Sequence, residues 1–365
     1  MIKFHSSPNP TIGVEIELQL IDDNTLDLKN ISSKVLADID KKFCNRMKYE
    51  LFESMIEINT DICSTIEEVD GDIKQTLRHL EEVLKNYNAS INCSSLHPFA
   101  RGKNQIISND SRYKRIMNDL QIIGTRFITQ GLHVHIGIDE CEKVIKVNNA
   151  LRIYLPLLLA LSTSSPFYEG EDTGLYSYRT KIFESLPLAG MPDYLNNWDH
   201  FTNITENLIK ADVIKSVKDL WWEVRPHPGF GTVEVRVCDI PVNLIQILAL
   251  VALMQALVVT IQNLDKYPDT HIQILESNKW QAVRYGLEGT FIDPLTLKQL
   301  PIKKAIEDLC NLIEPVMVSL GSAKYVRVIE EILIHGTGAS QKRDIFKKSG
   351  KFEYMIKSMK ERFYQ

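Results

Sequence analysis

The sequence lacks the short motifs that mark several large enzyme classes. It contains no G-x-x-x-x-G-K-[ST] loop, no G-x-G-x-x-G turn after a strand pattern and no G-x-S-x-G elbow. The glycines within residues 335–339 follow a helical pattern, so we do not expect a dinucleotide-binding turn there. These absences argue against P-loop, Rossmann and α/β-hydrolase chemistry. A bound nucleotide would have to be held through metal ions and scattered basic residues.

The cysteines do not form a recognisable metal-binding or redox motif. No two cysteines are spaced as C-x-x-C, which argues against a zinc knuckle and a thioredoxin-like redox motif. A chain of 365 residues does not need disulfides to stabilise its core. We interpret all six as reduced, mostly buried thiols: Cys44, Cys63, Cys93, Cys141, Cys238 and Cys310.

Charge, linkers and targeting segments are also sparse. The net charge of −5 gives no case for a nucleic-acid partner. There is no repeat or Gly/Ser-rich linker, so one domain over residues 1–365 is expected. Residues 1–11 lack the apolar core of a signal peptide, and we expect a cytoplasmic protein.

One apolar run, residues 244–264, carries no charge and is about long enough to span a bilayer. Asparagine and glutamine interrupt it, and no second span accompanies it. A helix buried in a large core has the same composition. We therefore predict a core helix and no membrane partner.

Four stretches alternate between polar and aliphatic residues, as a strand with one buried face does. They cover residues 13–20, 52–59, 131–138 and 232–238. Helical periodicity lies between them, at 65–86, 140–161 and 242–264, and Pro156 should kink or divide the second helix. The sequence predicts an α+β fold in which helices pack on the aliphatic side of a sheet.

The polar sides of these strands have an unusual composition. Exposed strand faces usually mix both signs of charge, and like charges on neighbouring strands repel each other. Here carboxylates dominate, and a divalent cation such as Mg²⁺ or Mn²⁺ would compensate them. For any one strand taken alone, a solvated polar face is the commoner explanation. The residues are Glu15, Glu17, Glu53, Glu57, His133, His135, Glu234 and Arg236.

The spacing within these strands suggests particular chemistry. Glu15 and Glu17 should lie about 7 Å apart, which suits two metal ions flanking a polyphosphate. Arg236 could hold a phosphate or carboxylate with its planar guanidinium, or could form a surface ion pair with Glu234. The pair His133 and His135 resembles a zinc-binding H-x-H motif, but packing pairs of this kind are as common.

Several basic residues are candidates for binding ATP, although each is also explained as a surface cation. They are Arg112, Arg179, Lys279 and Arg284. Residues 165–200, rich in proline, glycine and tyrosine, are predicted either to lie over the site or to form a surface connection.

The order of short motifs along nearly the whole chain resembles the bacterial carboxylate–amine ligases of the glutamate–cysteine ligase type 2 family. The motifs are TIGVEIEL (11–18), ESMIEINTD (53–61), HPF (97–99), RY (112–113), GLHVHIG (131–137), KDLWWEVRP (218–226), FGTVEVRVCD (230–239) and AVRYGLEG (282–289). The resemblance implies an antiparallel sheet of about six strands with helices on one face. It places an open active site on the other face, as in glutamine synthetase and the guanido kinases.

The resemblance also implies an activity and roles for residues. It implies an ATP- and Mg²⁺-dependent homodimer that joins a carboxylate to an amine through an acyl phosphate. The implied metal ligands are Glu15, Glu17, Glu53, Glu57, His135 and Glu234. Arg236 and Arg179 would stabilise charge in the reaction. Of the basic candidates named above, we predict that Arg112, Lys279 and Arg284 contact ATP. His133 and Asn59 would contact substrate.

Two other functions remain open on the sequence. A metal-dependent hydrolase could use the H-x-H strand without any nucleotide. A binding protein without catalytic activity could chelate metal on the same acidic face. The identities of the acid and of the amine do not follow from any motif.

Overall fold

Residues 2–364 are described by a computed structural model of the chain. Strands and helices are interleaved along it. The strands are β1 (Ile12–Asp22), β2 (Met47–Tyr49), β3 (Met55–Asn59), β4 (Ala89–Asn92), β5 (Leu132–Gly137), β6 (Phe167–Tyr168), β7 (Glu171–Asp172), β8 (Val224–His227), β9 (Thr232–Val235), β10 (Thr290–Ile292) and β11 (Gln299–Pro301).

The helices surround the sheet and form most of the second half of the chain. They are α1 (Ser32–Ala37), α2 (Ile66–Lys85), α3 (Ser111–Leu120), α4 (Ile122–Thr125), α5 (Cys141–Ser162), α6 (Tyr178–Phe183), α7 (Trp198–Lys210), α8 (Leu244–Asn263), α9 (Ile272–Tyr285), α10 (Ile302–Ser319), α11 (Lys324–His335), α12 (Gly338–Ser349) and α13 (Phe352–Arg362).

Seven strands form one antiparallel sheet in the order β2-β3-β1-β5-β9-β8, and β4 pairs with the distal part of β1. With 11 residues, β1 is long enough to pair with β5 near its start, with β3 at its middle and with β4 at its end. The predicted α+β fold with an antiparallel sheet is confirmed, and the sheet has seven strands where about six were expected.

The aliphatic side of the sheet packs on α2, α5 and α8. Along β1, the side chains of Val14, Ile16 and Leu18 are all buried, while Glu15 and Glu17 between them remain partly accessible. Burying one face of each strand fixes which residues point away from the core, because side chains alternate along a strand. The polar face therefore lies on the side opposite α2, α5 and α8.

By length and composition, α5 as well as α8 is apolar enough to cross a membrane, so the expectation that no second span accompanies residues 244–264 is wrong. Their most apolar windows are 89% and 83% buried inside the fold, as expected for core helices. Polar residues of α8 have local roles: Asn243 caps its first turn, and Gln255 donates to the Pro10 carbonyl at 2.8 Å. The helix that was predicted to kink or divide at Pro156 is not divided there, because α5 runs continuously through this buried proline and packs along α8 and α9.

The motif at residues 97–99 has a structural role outside the sheet. His97 is buried, and its Nε2 lies 2.8 Å from the Leu26 carbonyl oxygen. Its Nδ1 accepts hydrogen bonds from the backbone N–H groups of Phe99 and Ala100. This arrangement requires a neutral imidazole with the proton on Nε2. Burial lowers the pKa of His97 to about 4.

We expect His97 to make the fold sensitive to acid. Between pH 6.5 and about 4 the unfolded chain binds a proton that the folded chain does not, so stability falls as the pH is lowered through this window. The expected loss is about 3 kcal/mol across the window. Urea unfolding at pH 7 and pH 4.5 measures it. The variant His97→Asn should be less stable at pH 7 but should lose less stability on acidification than the parent protein, and equal losses would contradict the assignment.

Candidate active site

The polar face of the sheet forms the floor of a cleft of about 260 Å³. Side chains from β1, β3, β5 and β9 line the floor, and α3 and α6 contribute walls. Since α6 lies within residues 165–200, part of that segment does border the cleft.

The first group of metal-ligand side chains comes from three neighbouring strands. Glu15, His133 and Glu234 each offer a donor atom, and these atoms lie within 4.8 Å of one another. Strand register explains the grouping, because Glu15 faces His133 across the β1–β5 pair and His135 faces Glu234 across the β5–β9 pair. The Nε2 atom of His135 is 3.7 Å from Glu15 and 3.9 Å from Glu234, so this histidine borders the same group.

A second group consists of carboxylates alone. Glu17, Glu50 and Glu57 also bring one oxygen each within 4.8 Å of one another. Glu17 and Glu57 face each other across the β1–β3 pair. Glu50 was missed by the sequence analysis, because it follows the short strand β2 and no alternating pattern marks its position.

Burial and mutual repulsion make this second group hard to ionise. Burial raises the pKa of Glu17 to about 7 and the pKa of Glu50 well above its usual range, and neighbouring carboxylates add to both shifts. Burial and the charge of Glu15 raise the pKa of Glu57 as well. In the part of the chain that the structure describes, the one cation paired directly with this group is Lys48, whose Nζ lies 3.3 Å from Glu57, and carboxylates that outnumber their cations tend to bind protons instead. Their all-oxygen chemistry and close spacing fit a hard divalent cation such as Mg²⁺ or Mn²⁺.

In the first group, of Glu15, His133 and Glu234, neighbouring arginines and histidines stabilise the negative charge of the carboxylates. Burial would raise the pKa of Glu234, but Arg225 and Arg236 hold it well below its usual range. Burial would likewise raise the pKa of Glu15, but hydrogen bonding with His133 and His135 holds it low. Burial and the neighbouring Arg236 lower the pKa of His133 to about 4, so this imidazole is neutral and has a lone pair for a metal at neutral pH.

Among the described residues, four arginines line the cleft, and three of them, Arg179, Arg225 and Arg236, lie near its floor. Arg225, which the sequence analysis did not select, binds Glu234 through two hydrogen bonds of 2.7 and 3.3 Å because the two residues face each other across the β8–β9 pair. Arg236 also pairs with Glu234. Arg179 donates to the carbonyl oxygens of Val237 and Arg236 at 3.3 Å. Within residues 2–364, the Nε–H groups of Arg179 and Arg236 are buried without a hydrogen-bond partner.

Two further predicted residues lie at the margin of the cleft. Arg112 lines it and is 3.5 Å from Asp219. Asn59 donates to Glu57 at 2.8 Å and accepts from Lys48, so it orients a carboxylate of the second group.

Glu53, predicted as a metal ligand, lies elsewhere. The strand begins at Met55, so Glu53 belongs to the preceding turn, where side-chain alternation does not apply. Its carboxylate accepts hydrogen bonds from the Ser33 backbone N–H at 2.8 Å and from the hydroxyls of Ser32 and Ser33. Its role is to accept hydrogen bonds from the first turn of α1, where backbone N–H groups have no partner within the helix.

Lys279 and Arg284, predicted to contact ATP, are also outside the cleft. The Nζ of Lys279 is buried between three carboxylates at 3.0 to 3.1 Å, those of Glu184, Glu223 and Glu276. Burial alone would lower the pKa of Lys279, but Glu223 and Glu184 raise it above its usual value. Arg284 donates to the Gly174 carbonyl and lies over the Tyr285 ring. Both cations are used by the fold.

We expect the variant Lys279→Met to lose about 3–5 kcal/mol of unfolding free energy, because it leaves buried carboxylates without their cation. Chemical denaturation measures the loss. The matched control is Lys304→Met, which removes an exposed lysine paired with Asp308 at 2.7 Å and should unfold at the same denaturant concentration as the parent protein. Equal stability of the two variants would contradict a structural role for Lys279.

The two ends of the cleft differ in chemistry. Near Glu15 and Glu234, the ring of His227 stacks on Phe230 with centroids 4.2 Å apart. We call these two residues the aromatic pair. Near Glu17 and Arg179 lies a group of mainly aliphatic and aromatic side chains, which we call the apolar wall: Ile116, Leu120, Phe127, Phe183, Leu186 and Trp221. Sequence analysis missed both ends, since neither follows from strand alternation.

Comparison with known proteins agrees with this architecture. The profile of glutamate-cysteine ligase family 2 (GCS2) matches residues 11–361. A protein of Gloeobacter violaceus named "Putative glutamate--cysteine ligase 2" is 39% identical over 359 residues, with 95% of each chain covered. A protein of the same name from Solibacter usitatus is 36% identical, with 96% of this chain and 93% of the relative covered.

Solved structures share the fold at low sequence identity. The glutamate–cysteine ligase of Francisella tularensis, solved in complex with AMP, superposes with a TM-score of 0.75 at 15% identity and covers 98% of this chain and 89% of its own. A bifunctional glutathione synthetase from Pasteurella multocida gives a TM-score of 0.72 at 14% identity, with 97% and 52% covered. The sequence matches identify the family, and the chain belongs to glutamate-cysteine ligase family 2.

Proposed function

We propose that this protein is an ATP-dependent carboxylate–amine ligase that forms an amide bond through an acyl phosphate and releases ADP and phosphate. The observation that carries the proposal is the meeting of two metal-ligand groups with Arg179 and Arg236 in one cleft. Membership of a glutamate–cysteine ligase family supports it. We further propose that the enzyme acts in the cytoplasm as a homodimer.

The residues present fit Mg²⁺ or Mn²⁺. Glu15, His133 and Glu234 would hold a cation at one end of the floor, with His135 beside them, and Glu17, Glu50 and Glu57 would hold a cation at the other. Bound there, the cations would neutralise phosphate oxygens and so lower the barrier to phosphoryl transfer. The low pKa values of Glu15 and Glu234 mean that the first group is ionised and ready to bind at neutral pH.

The proposed reaction has two steps. A carboxylate oxygen of the acid attacks the γ-phosphorus of ATP, the bond to the bridging β,γ-oxygen breaks, and ADP leaves. The amine nitrogen then attacks the acyl carbon, phosphate leaves with the bonding electrons, and the nitrogen loses a proton. Arg236 and Arg179, which line the cleft, would stabilise the negative charge of the phosphoryl group and of the tetrahedral intermediate through their guanidinium charge.

Release of ADP tests this proposal. The purified chain is incubated with ATP, Mg²⁺ and a panel of amino acids, offered singly and in pairs, glutamate with cysteine included. ADP release that requires one acid and one amine is the expected result. ATP-independent hydrolysis by a zinc-containing protein would instead support the metal-dependent hydrolase. Metal binding without phosphate release under any pairing would support a binding protein.

A further inference from the structure

The cleft is chemically divided along the direction of β1. At the Glu15 end, the His135 ring contacts the aromatic pair, with centroids 5.3 Å from His227 and 5.6 Å from Phe230. At the Glu17 end, the Gly131 backbone N–H donates to Glu17 at 2.6 Å, and Gly131 borders the Arg179 guanidinium.

That guanidinium leads directly to the apolar wall. It lies over the Phe183 ring, 5.6 Å from the centroid. Phe183, Leu120 and Leu186 form a hydrophobic cluster separate from the large core beneath the sheet. Of the six side chains of the wall, all but Trp221 lack a polar atom, and all six line the cleft. The wall is therefore an apolar surface set on the polar side of the sheet, where a ligand can reach it.

Cations lie in the same cleft as the apolar wall. Arg112 and Lys218 line it, while Glu17 and Glu50 belong to a proposed metal-ligand group. An α-amino acid carries a carboxylate and a side chain. These two groups match the cations and the wall respectively, which a simple inorganic ion would not do.

The nucleotide base has a better place at the opposite end. Phe230 is 59% exposed, and its stacked arrangement with His227 offers a flat ring face to a planar base. Placing the base there sets the phosphates over the carboxylate groups. The apolar wall then remains for the amine substrate.

We infer that the apolar wall binds the side chain of the amine acceptor, and that this acceptor is an amino acid with an apolar side chain larger than that of alanine. The inference rests on the proposed ligase function and names the chemical class of its amine substrate. A charged or strongly polar side chain would be desolvated against the wall without a partner. Each additional methylene group buried there should raise kcat/KM roughly fourfold.

The first experiment measures ADP release by the full chain with ATP, Mg²⁺ and L-glutamate. Glycine, alanine, valine, leucine, phenylalanine, cysteine, serine, aspartate or lysine is offered as the amine. The expected result is a kcat/KM that rises from alanine to leucine and is lowest for aspartate and lysine. A flat profile, or a preference for serine, aspartate or lysine, overturns the inference but leaves the ligase function standing.

A binding measurement tests the assignment of the apolar wall separately from the proposed ligase function. Calorimetry of the parent protein with ATP and Mg²⁺ present should detect leucine binding at least tenfold tighter than serine binding. Absence of this difference overturns the inference whether or not ADP is released. Absence of ADP release across all acid–amine pairs overturns the proposed function, while selective leucine binding would still support the assignment of the wall.

Two variants locate the effect. Leu186→Trp fills the apolar wall and should raise the KM for leucine at least tenfold while the KM for ATP stays within twofold. Phe230→Ala, at the other end of the cleft, should raise the KM for ATP at least tenfold while the KM for leucine stays within twofold. If Leu186→Trp does not fold, as judged by circular dichroism, Phe127→Ala replaces it and should shift the preference from leucine towards phenylalanine. A wall variant that changes the KM for ATP and leaves the leucine KM unchanged overturns the inference.

Discussion

The variant Glu17→Gln is expected to lose ADP formation by at least a thousandfold while keeping its fold. The substitution keeps the shape of the side chain but removes one carboxylate from the Glu17, Glu50 and Glu57 group. Losing one ligand charge should cost several kcal/mol of stabilisation of the phosphoryl group in the transition state. Because burial opposes ionisation of Glu17, the unfolding free energy of the variant should equal or exceed that of the parent protein.

The matched control is Glu53→Gln, only a few residues from Glu57 in sequence. The structure assigns Glu53 to the first turn of α1, so this variant should lose about 1–2 kcal/mol of unfolding free energy. Its KM for ATP and its Mg²⁺ dependence should not change. The comparison uses ADP release, Mg²⁺ titration and urea denaturation on both variants. A Glu53→Gln protein with weakened Mg²⁺ activation, or a fully active Glu17→Gln protein, would refute the assignment of the metal-ligand groups.

The second large effect is expected from a single methyl group. At Gly131, a Cβ atom would lie 2.2 Å from Nη2 of Arg179 and 3.0 Å from Nε2 of His133. Gly131→Ala should therefore push the Arg179 guanidinium out of position. Since the atoms that must move belong to the end of a flexible side chain, the protein should still fold. Displacing a catalytic group by about 1 Å commonly costs on the order of a hundredfold in rate, and we expect kcat to fall by that amount.

Gly13→Ala is the control for this effect. Gly13 lies on the same face of β1 as Glu15 and Glu17. A Cβ atom added there would lie 3.6 Å from the Cβ of His135, which is an ordinary contact. Its kcat should stay within a few-fold of the parent value. Arg179→Lys, which removes the planar guanidinium, should resemble Gly131→Ala in kcat. If Gly131→Ala is as active as Gly13→Ala, the close approach of Arg179 has no role in catalysis.

Both ends of the cleft bear on specificity as well as rate. The floor is built from strand residues whose positions are fixed by the core beneath them. The apolar wall comes from α3, α6 and connecting segments, and the aromatic pair comes from the end of β8 and the turn that follows it. Relatives with the same floor could therefore differ in substrate by changing residues of these connections alone.

The sequence by itself determined the α+β class, the core helix at 244–263 and the side of each strand that carries Glu15, Glu17, Glu57, His133, His135 and Glu234. These features are local. Strand side chains alternate with a period of two, and a wholly aliphatic side must be buried, so the opposite side of each strand is settled without knowledge of its neighbours.

Only the tertiary structure decided which cations and carboxylates meet. Glu50 and Arg225 join the cleft, and Glu53 and Lys279 leave it, because turns and helix packing place them and neither leaves a periodic pattern. Arg179 lines the cleft because α6 forms one of its walls, whereas Lys279 is buried against Glu184 and Glu223, which lie far from it in sequence. Contacts between residues far apart in sequence depend on how the elements pack, which the local pattern does not encode.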